Sequence, residues 1–322
     1  MASPLLQVRD LTTRFNTERV SVTAVDRVSF DIDAGETVAI VGESGSGKSV
    51  TALSLMRLIP SPPGRIESGE AIFEGEDLFR LDDAGIRRIR GNRIAMIFQE
   101  PMSSLNPALT VGLQVAEPAR LHRGLAWPRA LEMAKELLGR VRIPDAASRL
   151  GSYPHQYSGG MRQRVMIAMA LSCAPRLIIA DEPTTALDVT VQAQILDLLK
   201  ELTRETGSSL LLITHDLGVV ARYADRVAVM YGGRIVETAP ARALYKNPRH
   251  PYTRGLMASV PRLDGDAGRP LLPIDGQPPD LARLPAGCAF SPRCREVGDI
   301  CRIDRPPLTE VGERHLKACF NA

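Results

Sequence analysis

A chain of 322 residues exceeds the usual size of one domain, so a large core with a smaller appendage is expected. Hydrophobic residues at 44% and charged ones at 24% exclude a mainly disordered chain, and aromatics at 4% argue against a platform for stacking single-stranded nucleic acid. The net charge of +3 is too small to mark a nucleic-acid binder, and the basic excess sits beyond Ala241, where 13 Lys and Arg face 9 Asp and Glu.

The first residues lack both the charged and the apolar part of a secretory signal, and no stretch reaches the ~20 apolar residues that span a bilayer. A cytosolic chain with reduced thiols is therefore expected. Residues 1–33 alternate loosely, as antiparallel strands do. Thr37-Val38-Ala39-Ile40-Val41 is a short apolar run typical of a buried strand, followed by a glycine-rich loop and a helix ending by Pro60. Ile94 to Phe98, Leu177 to Ala180 and Leu210 to Thr214 repeat the buried-strand pattern, and Thr110 to Ala174 is helical in period. From Asp188 to Glu205 the spacing predicts a helix that Asp188 caps and Gly207 closes, with Ile195, Leu198, Leu199 and Leu202 on one face. Strands alternating with helices predict an α/β fold with a mainly parallel sheet and a helical insertion. After about Pro240 prolines accumulate and periodicity disappears, so this segment is expected to need a staple.

Gly42-Glu43-Ser44-Gly45-Ser46-Gly47-Lys48-Ser49 fits G-x-x-x-x-G-K-[ST] between a strand and a helix. Glycines let backbone N–H groups converge on phosphate oxygens, and the helix start adds positive potential. Lys48 supplies charge for the β and γ phosphates, and Ser49 a hydroxyl for Mg²⁺. Such a loop needs a carboxylate at the tip of a buried strand, and Leu177 to Glu182 offers two: Asp181 to hold Mg²⁺ through water and Glu182 as general base.

With these motifs and Tyr157-Ser158-Gly159-Gly160-Met161-Arg162-Gln163, residues 5–240 resemble the ATP-binding cassette (ABC) ATPases. The heptad is similar to that family's LSGGQ signature, with Tyr157 for Leu and Met161 for Gln. The resemblance implies a P-loop ATPase core spanning 1–240, with an antiparallel β part and a helical subdomain at about 100–175. It further implies that Gln99 reaches the metal and water, that Ala186-Leu187-Asp188 forms the D-loop behind Thr185, and that His215 contacts the γ-phosphate. Val50 follows the phosphate loop, and Phe15 is either the aromatic that stacks on adenine or a core residue.

Gln99 to Pro107 and Arg249-His250-Pro251-Tyr252-Thr253 are similar to the subfamily that powers dipeptide, oligopeptide and nickel uptake, and the second motif opens its C-terminal extension, here 241–322. The implied protein is an importer ATPase, peripheral on the cytoplasmic face of the inner membrane. Its expected partners are a second, related ATPase subunit in a heterodimer, two transmembrane permeases and an extracytoplasmic substrate-binding protein. ATP lies between the two ATPase subunits, Lys48 of one facing Ser158 of the other. Peptide is the expected cargo, with nickel or another small solute as the alternative. A soluble DNA-repair or translation ABC protein, the rival, usually has two cassettes or coiled-coil insertions, which this chain lacks.

Cys173 lies in an apolar segment and reads as core. Cys288, Cys294, Cys301 and Cys319 follow Cys-x5-Cys-x6-Cys-x17-Cys, with no close pair. Structural zinc usually shows such a pair, whereas wide spacing suits a [4Fe–4S] cluster; zinc stays as the alternative and His315 as a substitute ligand. The resemblance implies the same cluster.

Overall fold

The structure, a computed structural model, describes residues 3–18, 20–185, 187–259 and 273–321, save the side chain of Val189. In chain order its elements are β1 (Leu6–Asn16), β2 (Ser21–Ile32), β3 (Thr37–Val41), α1 (Lys48–Leu55), β4 (Gly64–Phe73) and β5 (Glu76–Asp77). Next come α2 (Asp83–Ile89), β6 (Ile94–Ile97), α3 (Pro101–Ser104), α4 (Val111–Arg123), α5 (Trp127–Arg140), α6 (Ala146–Arg149), α7 (Gly159–Leu171), β7 (Leu177–Asp181), α8 (Val189–Thr206) and β8 (Ser209–Thr214). The last are α9 (Leu217–Tyr223), β9 (Arg226–Tyr231), β10 (Arg234–Pro240), α10 (Ala241–Lys246), α11 (Pro251–Ala258), α12 (Ile300–Ile303), β11 (Thr309–Gly312) and β12 (His315–Lys317). No helix among the described residues is long and apolar enough to cross a membrane.

By its contacts the chain divides into two units, residues 1–32, 37–80 and 213–322 in one, and 33–36 and 81–212 in the other. In the first, β1 pairs antiparallel with β2 and with β4, whose partner is β5. All five residues of β3 are buried, as its unbroken apolar run requires, and β3 runs parallel to β9 with Ile40 opposite Ala228. From β9 the sheet continues antiparallel through β10 and β12 to β11, so it is mixed.

In the second unit β6 lies parallel to β7, Ile94 opposite Leu177. Helix α5 buries Ala130, Ala134, Leu137 and Leu138, the i, i+4, i+7, i+8 stripe of an amphipathic helix. Helix α8 buries the Ile195, Leu198, Leu199 and Leu202 face, and Gly207 ends it at φ 67°. One detail differs from expectation. Asp188 occupies the N-cap position, but its exposed side chain accepts no capping hydrogen bond.

The described part of the extension, 241–259 and 273–321, is more ordered than its proline content suggests. Its β12 adds to the edge of β10, with Glu237 opposite Lys317. Glu237 is fully buried; its Oε1 accepts from the main-chain N–H of Arg249 at 2.7 Å and its Oε2 from that of His250 at 2.9 Å, while His315 Nε2 lies 2.7 Å from Oε1. A buried carboxylate with so many partners is satisfied, and breaking the set would leave a buried charge. Tyr231, Tyr252 and Phe290 pack ring to ring, with centroids 4.5 to 5.4 Å apart.

His250 caps α11 by accepting from the Tyr252 N–H at 3.0 Å, so its Nδ1 is unprotonated. Burial pushes this imidazole down to about 4, helped by Arg254 and Lys317 and opposed by Glu237. Its protonation is thus disfavoured in the folded chain. Above about pH 6.5 both states are neutral; as pH falls toward about 4 the unfolded chain takes the proton first, so stability drops by about 2–3 kcal/mol. Denaturant unfolding across that interval checks this. His250→Asn keeps a short acceptor without the titration and should flatten the drop; an unchanged drop contradicts the assignment.

Candidate functional site

In the first unit β3 delivers the chain into the loop 42–49, and α1 opens at Lys48. Gly47 is the N-cap at φ 103° with no side-chain cap, so the first amides of α1 look into the loop without a side-chain acceptor. A Cβ on Gly47 would overlap the Ala24 carbonyl oxygen on β2 and approach the Met230 methyl within 2.8 Å; one on Gly42 would overlap the Met230 carbonyl oxygen on β9. Lys48 is buried, with Nζ donating to the carbonyls of Gly42 at 2.8 Å and Glu43 at 3.0 Å. Ser46 Oγ is buried without a hydrogen-bond partner, an orphan polar atom inside the loop. This glycine-formed cradle, with a buried ammonium and an unsatisfied hydroxyl, fits phosphate oxygens.

Ser44, Gly45, Ser49 and Val50 complete the loop and the first turn of α1. His215 is exposed directly after β8, and Asp216 behind it caps α9 by accepting from the N–H of Gly218 and Val219 at 2.7 and 3.3 Å. Phe15 is half-buried on β1 opposite Gly64 of β4.

In the second unit Asp181 ends β7 with 5% exposure. Glu182 follows at φ 45°, a left-handed conformation unusual for a side chain of this size and a mark of a functional turn. Gln99 Nε2 donates to Glu182 Oε2 at 3.0 Å and Thr185 Oγ1 donates to the same oxygen at 2.8 Å, so both orient this carboxylate.

Ser158 caps α7, accepting from the Met161 N–H at 3.4 Å, and Gly159 and Gly160 form its first turn. Ser158 and Gly159 are exposed, as a second anion cradle needs. Tyr157 is buried where the family has Leu, and its hydroxyl donates to the Arg149 carbonyl at 2.8 Å; burial raises its pKa. Arg162 Nε donates to the Pro154 carbonyl at 2.7 Å, and Gln163 is buried with Nε2 unpartnered. Leu187 is half-buried and Asp188 exposed, while Ala186, the first D-loop residue, lies outside the described residues.

The expected cluster finds no preformed ligand set in the described part of the structure. Among the described residues no three His, Cys, Asp or Glu side chains stand as a metal-binding group, and all five cysteines are free thiols. Cys288, Cys294, Cys301 and Cys319 nonetheless line one small cavity with His250, Phe290 and Pro306. The Cys288 N–H donates to the Cys301 carbonyl at 2.8 Å, which fixes two of them by backbone. Burial pushes the thiols of Cys288, Cys294 and Cys319 up, keeping them protonated. His315 is committed to Glu237 and does not line the cavity. Cys173 is buried elsewhere.

Two contacts were not foreseen from sequence. Arg293 donates to both carboxylate oxygens of Glu43, and the Tyr252 hydroxyl accepts from the Glu43 N–H. Nothing in the local pattern of either residue pointed to the phosphate loop.

A phosphate-binding loop, a strand-tip acid pair and a second glycine cradle define an ATP-binding cassette. The chain matches the ABC transporter family over residues 25–185 and the C-terminal region of oligopeptide and dipeptide transporters over 236–301, and it belongs to that family. It is 54% identical to a putative peptide import ATP-binding protein of Brucella ovis, over 98% of this chain and 97% of that one. It is 51% identical to the oligopeptide transport ATP-binding protein OppD of Escherichia coli, over 99% and 94%. Among solved structures, a dimeric ATP-binding cassette in a post-hydrolysis state with ADP and Pi superposes with a TM-score of 0.66 at 30% identity, covering 74% of this chain and 99% of that one.

Gly47→Ala should lower ATP affinity at least tenfold, because the new methyl meets backbone that cannot yield. Gly45→Ala has open space around its Cβ and should cost less. Equal affinities in a nucleotide titration would contradict this reading of the loop.

Proposed function

We propose that this chain is the ATP-hydrolysing subunit of an ABC importer for peptides. The observation that carries the reading is its similarity, along nearly its whole length, to peptide import and oligopeptide transport ATP-binding proteins, extension included. The named functions of those relatives favour peptides over nickel or another small solute, and the extension favours transport over a soluble ABC role. The chain works at the cytoplasmic face of the inner membrane, paired with a second, related ATPase subunit against two permeases that an extracytoplasmic binding protein feeds. The dimeric cassette that shares its fold supports ATP held between two subunits. Residues 1–240 form the ATPase domain, with its helical subdomain at about 100–175, and 241–322 the extension.

Gly42 to Ser49 and Val50 hold the triphosphate, with Lys48 on the β and γ phosphates and Phe15 at the adenine. Ser49, Gln99 and Asp181 are the residues that would hold Mg²⁺, which would neutralise charge on the phosphates. Water attacks the γ-phosphorus, the bond to the ADP oxygen breaks, and the water's proton passes to Glu182, which Gln99 and Thr185 hold in place. His215 touches the γ-phosphate. Tyr157 to Gln163 present Ser158 and the two glycines to the nucleotide of the partner subunit, and Ala186, Leu187 and Asp188 line the subunit contact.

Cys288, Cys294, Cys301 and Cys319 are proposed to hold a [4Fe–4S] cluster, with zinc as the alternative. Four thiols around one cavity support it, although ligation requires their deprotonation and a local adjustment of side chains. Such a cluster would supply structural cross-linking of the extension, in addition to the Glu237 set.

Glu182→Gln should keep ATP binding and lose about 10²–10⁴-fold in turnover in the assembled transporter. Wild-type turnover would refute the base. For the extension, anaerobically purified protein should be brown, absorb near ~400 nm and contain about four irons per chain, and Ser at any of the four cysteines should remove the colour while Cys173→Ser does not. Colourless protein with zinc would select the alternative. Neither metal would reject both.

A further inference from the structure

Glu43, the second residue of the phosphate loop, is held at both its main chain and its side chain by residues of the C-terminal extension. Its N–H donates to the Tyr252 hydroxyl at 2.8 Å. Its carboxylate receives a two-pronged grip from Arg293, NH1 to Oε2 at 2.6 Å and NH2 to Oε1 at 3.0 Å. Arg293 is itself fixed. Its Nε donates to the Asp275 carbonyl at 2.9 Å and its NH2 to the Ile274 carbonyl at 3.3 Å, and the guanidinium lies 5.9 Å from the centroid of the Tyr231 ring. The Arg293 side chain is 5% exposed and that of Glu43 24%, so solvent screens this pair weakly. A planar fork held on three sides is a rigid, charge-matched clamp that Lys does not reproduce.

The charge has a consequence for nucleotide. A loop built to receive a triphosphate carries a carboxylate two residues before Gly45, and an unpaired carboxylate there would repel the incoming anion. We propose that Arg293 is a positioning residue for ATP: it neutralises and fixes Glu43, so the extension sets the affinity of the phosphate loop. The proposal rests on the reading of residues 42–49 as the ATP site and adds a control of that site by the extension. Arg293 precedes Cys294 of the thiol-lined cavity, so a displacement of that segment reaches the loop through one side chain.

The test is titration of the full chain with ATP in magnesium buffer, with thermal unfolding recorded for every variant. Arg293→Ala should weaken ATP binding on the order of tenfold, the scale of one uncompensated like charge near the phosphates at protein-surface dielectric. Adding Glu43→Gln to Arg293→Ala should recover most of the affinity, because the repelling charge is gone. Arg293→Lys should fall between wild type and Arg293→Ala. A clamp that merely held the extension in place would leave the double variant as weak as the single one, and that result overturns the proposal. So does wild-type affinity in Arg293→Ala. If Arg293→Ala does not unfold cooperatively, Arg293→Gln with and without Glu43→Gln makes the same comparison. Absence of ATP binding in wild type would instead refute the ATP reading of the loop.

Discussion

Gly47 sits where a side chain has no room: the Ala24 carbonyl of β2 and the Met230 side chain of β9 close on it from distant parts of the chain. This constraint makes the phosphate loop a tertiary object and not a local turn. The loop takes its path because β3 is buried beside β9, which brings Met230 against Gly42 and Gly47. Once the path is fixed, Lys48 turns back onto the loop carbonyls, and Ser46 keeps an unsatisfied hydroxyl inside. A pre-arranged cradle of this kind binds phosphate without reorganising first, which is why oriented dipoles are effective in such sites.

The same logic governs the acid pair. Asp181 ends a strand whose residues are all buried, so its position follows from the core. Glu182 then departs from regular backbone at φ 45° and is caught by Gln99 and Thr185, side chains from either end of the surrounding sequence. Local strain here is offset by two hydrogen bonds to one oxygen. The extension reproduces the pattern with a buried charge of its own, Glu237, around which the α11 entry and β12 assemble.

Much of this was legible in the sequence, for physical reasons. Continuous apolar runs gave β3, β6, β7 and β8 because a strand buried on both faces has no polar alternation. The face Ile195, Leu198, Leu199 and Leu202 gave α8 because it repeats with the helical period. The motif residues 42–49, 181–182 and 157–163 could be found because their chemistry requires neighbours in sequence. The β10–β12 pairing and the Arg293–Glu43 clamp were not legible, since each joins residues far apart whose local patterns are ordinary. Asp188 shows the reverse error: a good capping residue in the right place whose side chain stays in solvent. The four cysteines lie between these cases, clustered by sequence and gathered by the fold around one cavity, yet not set as a ligand group.

All of this depends on the loop 42–49 being a formed receptor for a triphosphate. Calorimetric titration of the purified full chain with ATP and magnesium, beside Lys48→Ala, measures that most directly. The expected result is a single saturable site in the wild type that Lys48→Ala loses while its thermal unfolding stays cooperative. Saturable binding of equal affinity in both proteins, or none in either, would contradict the account.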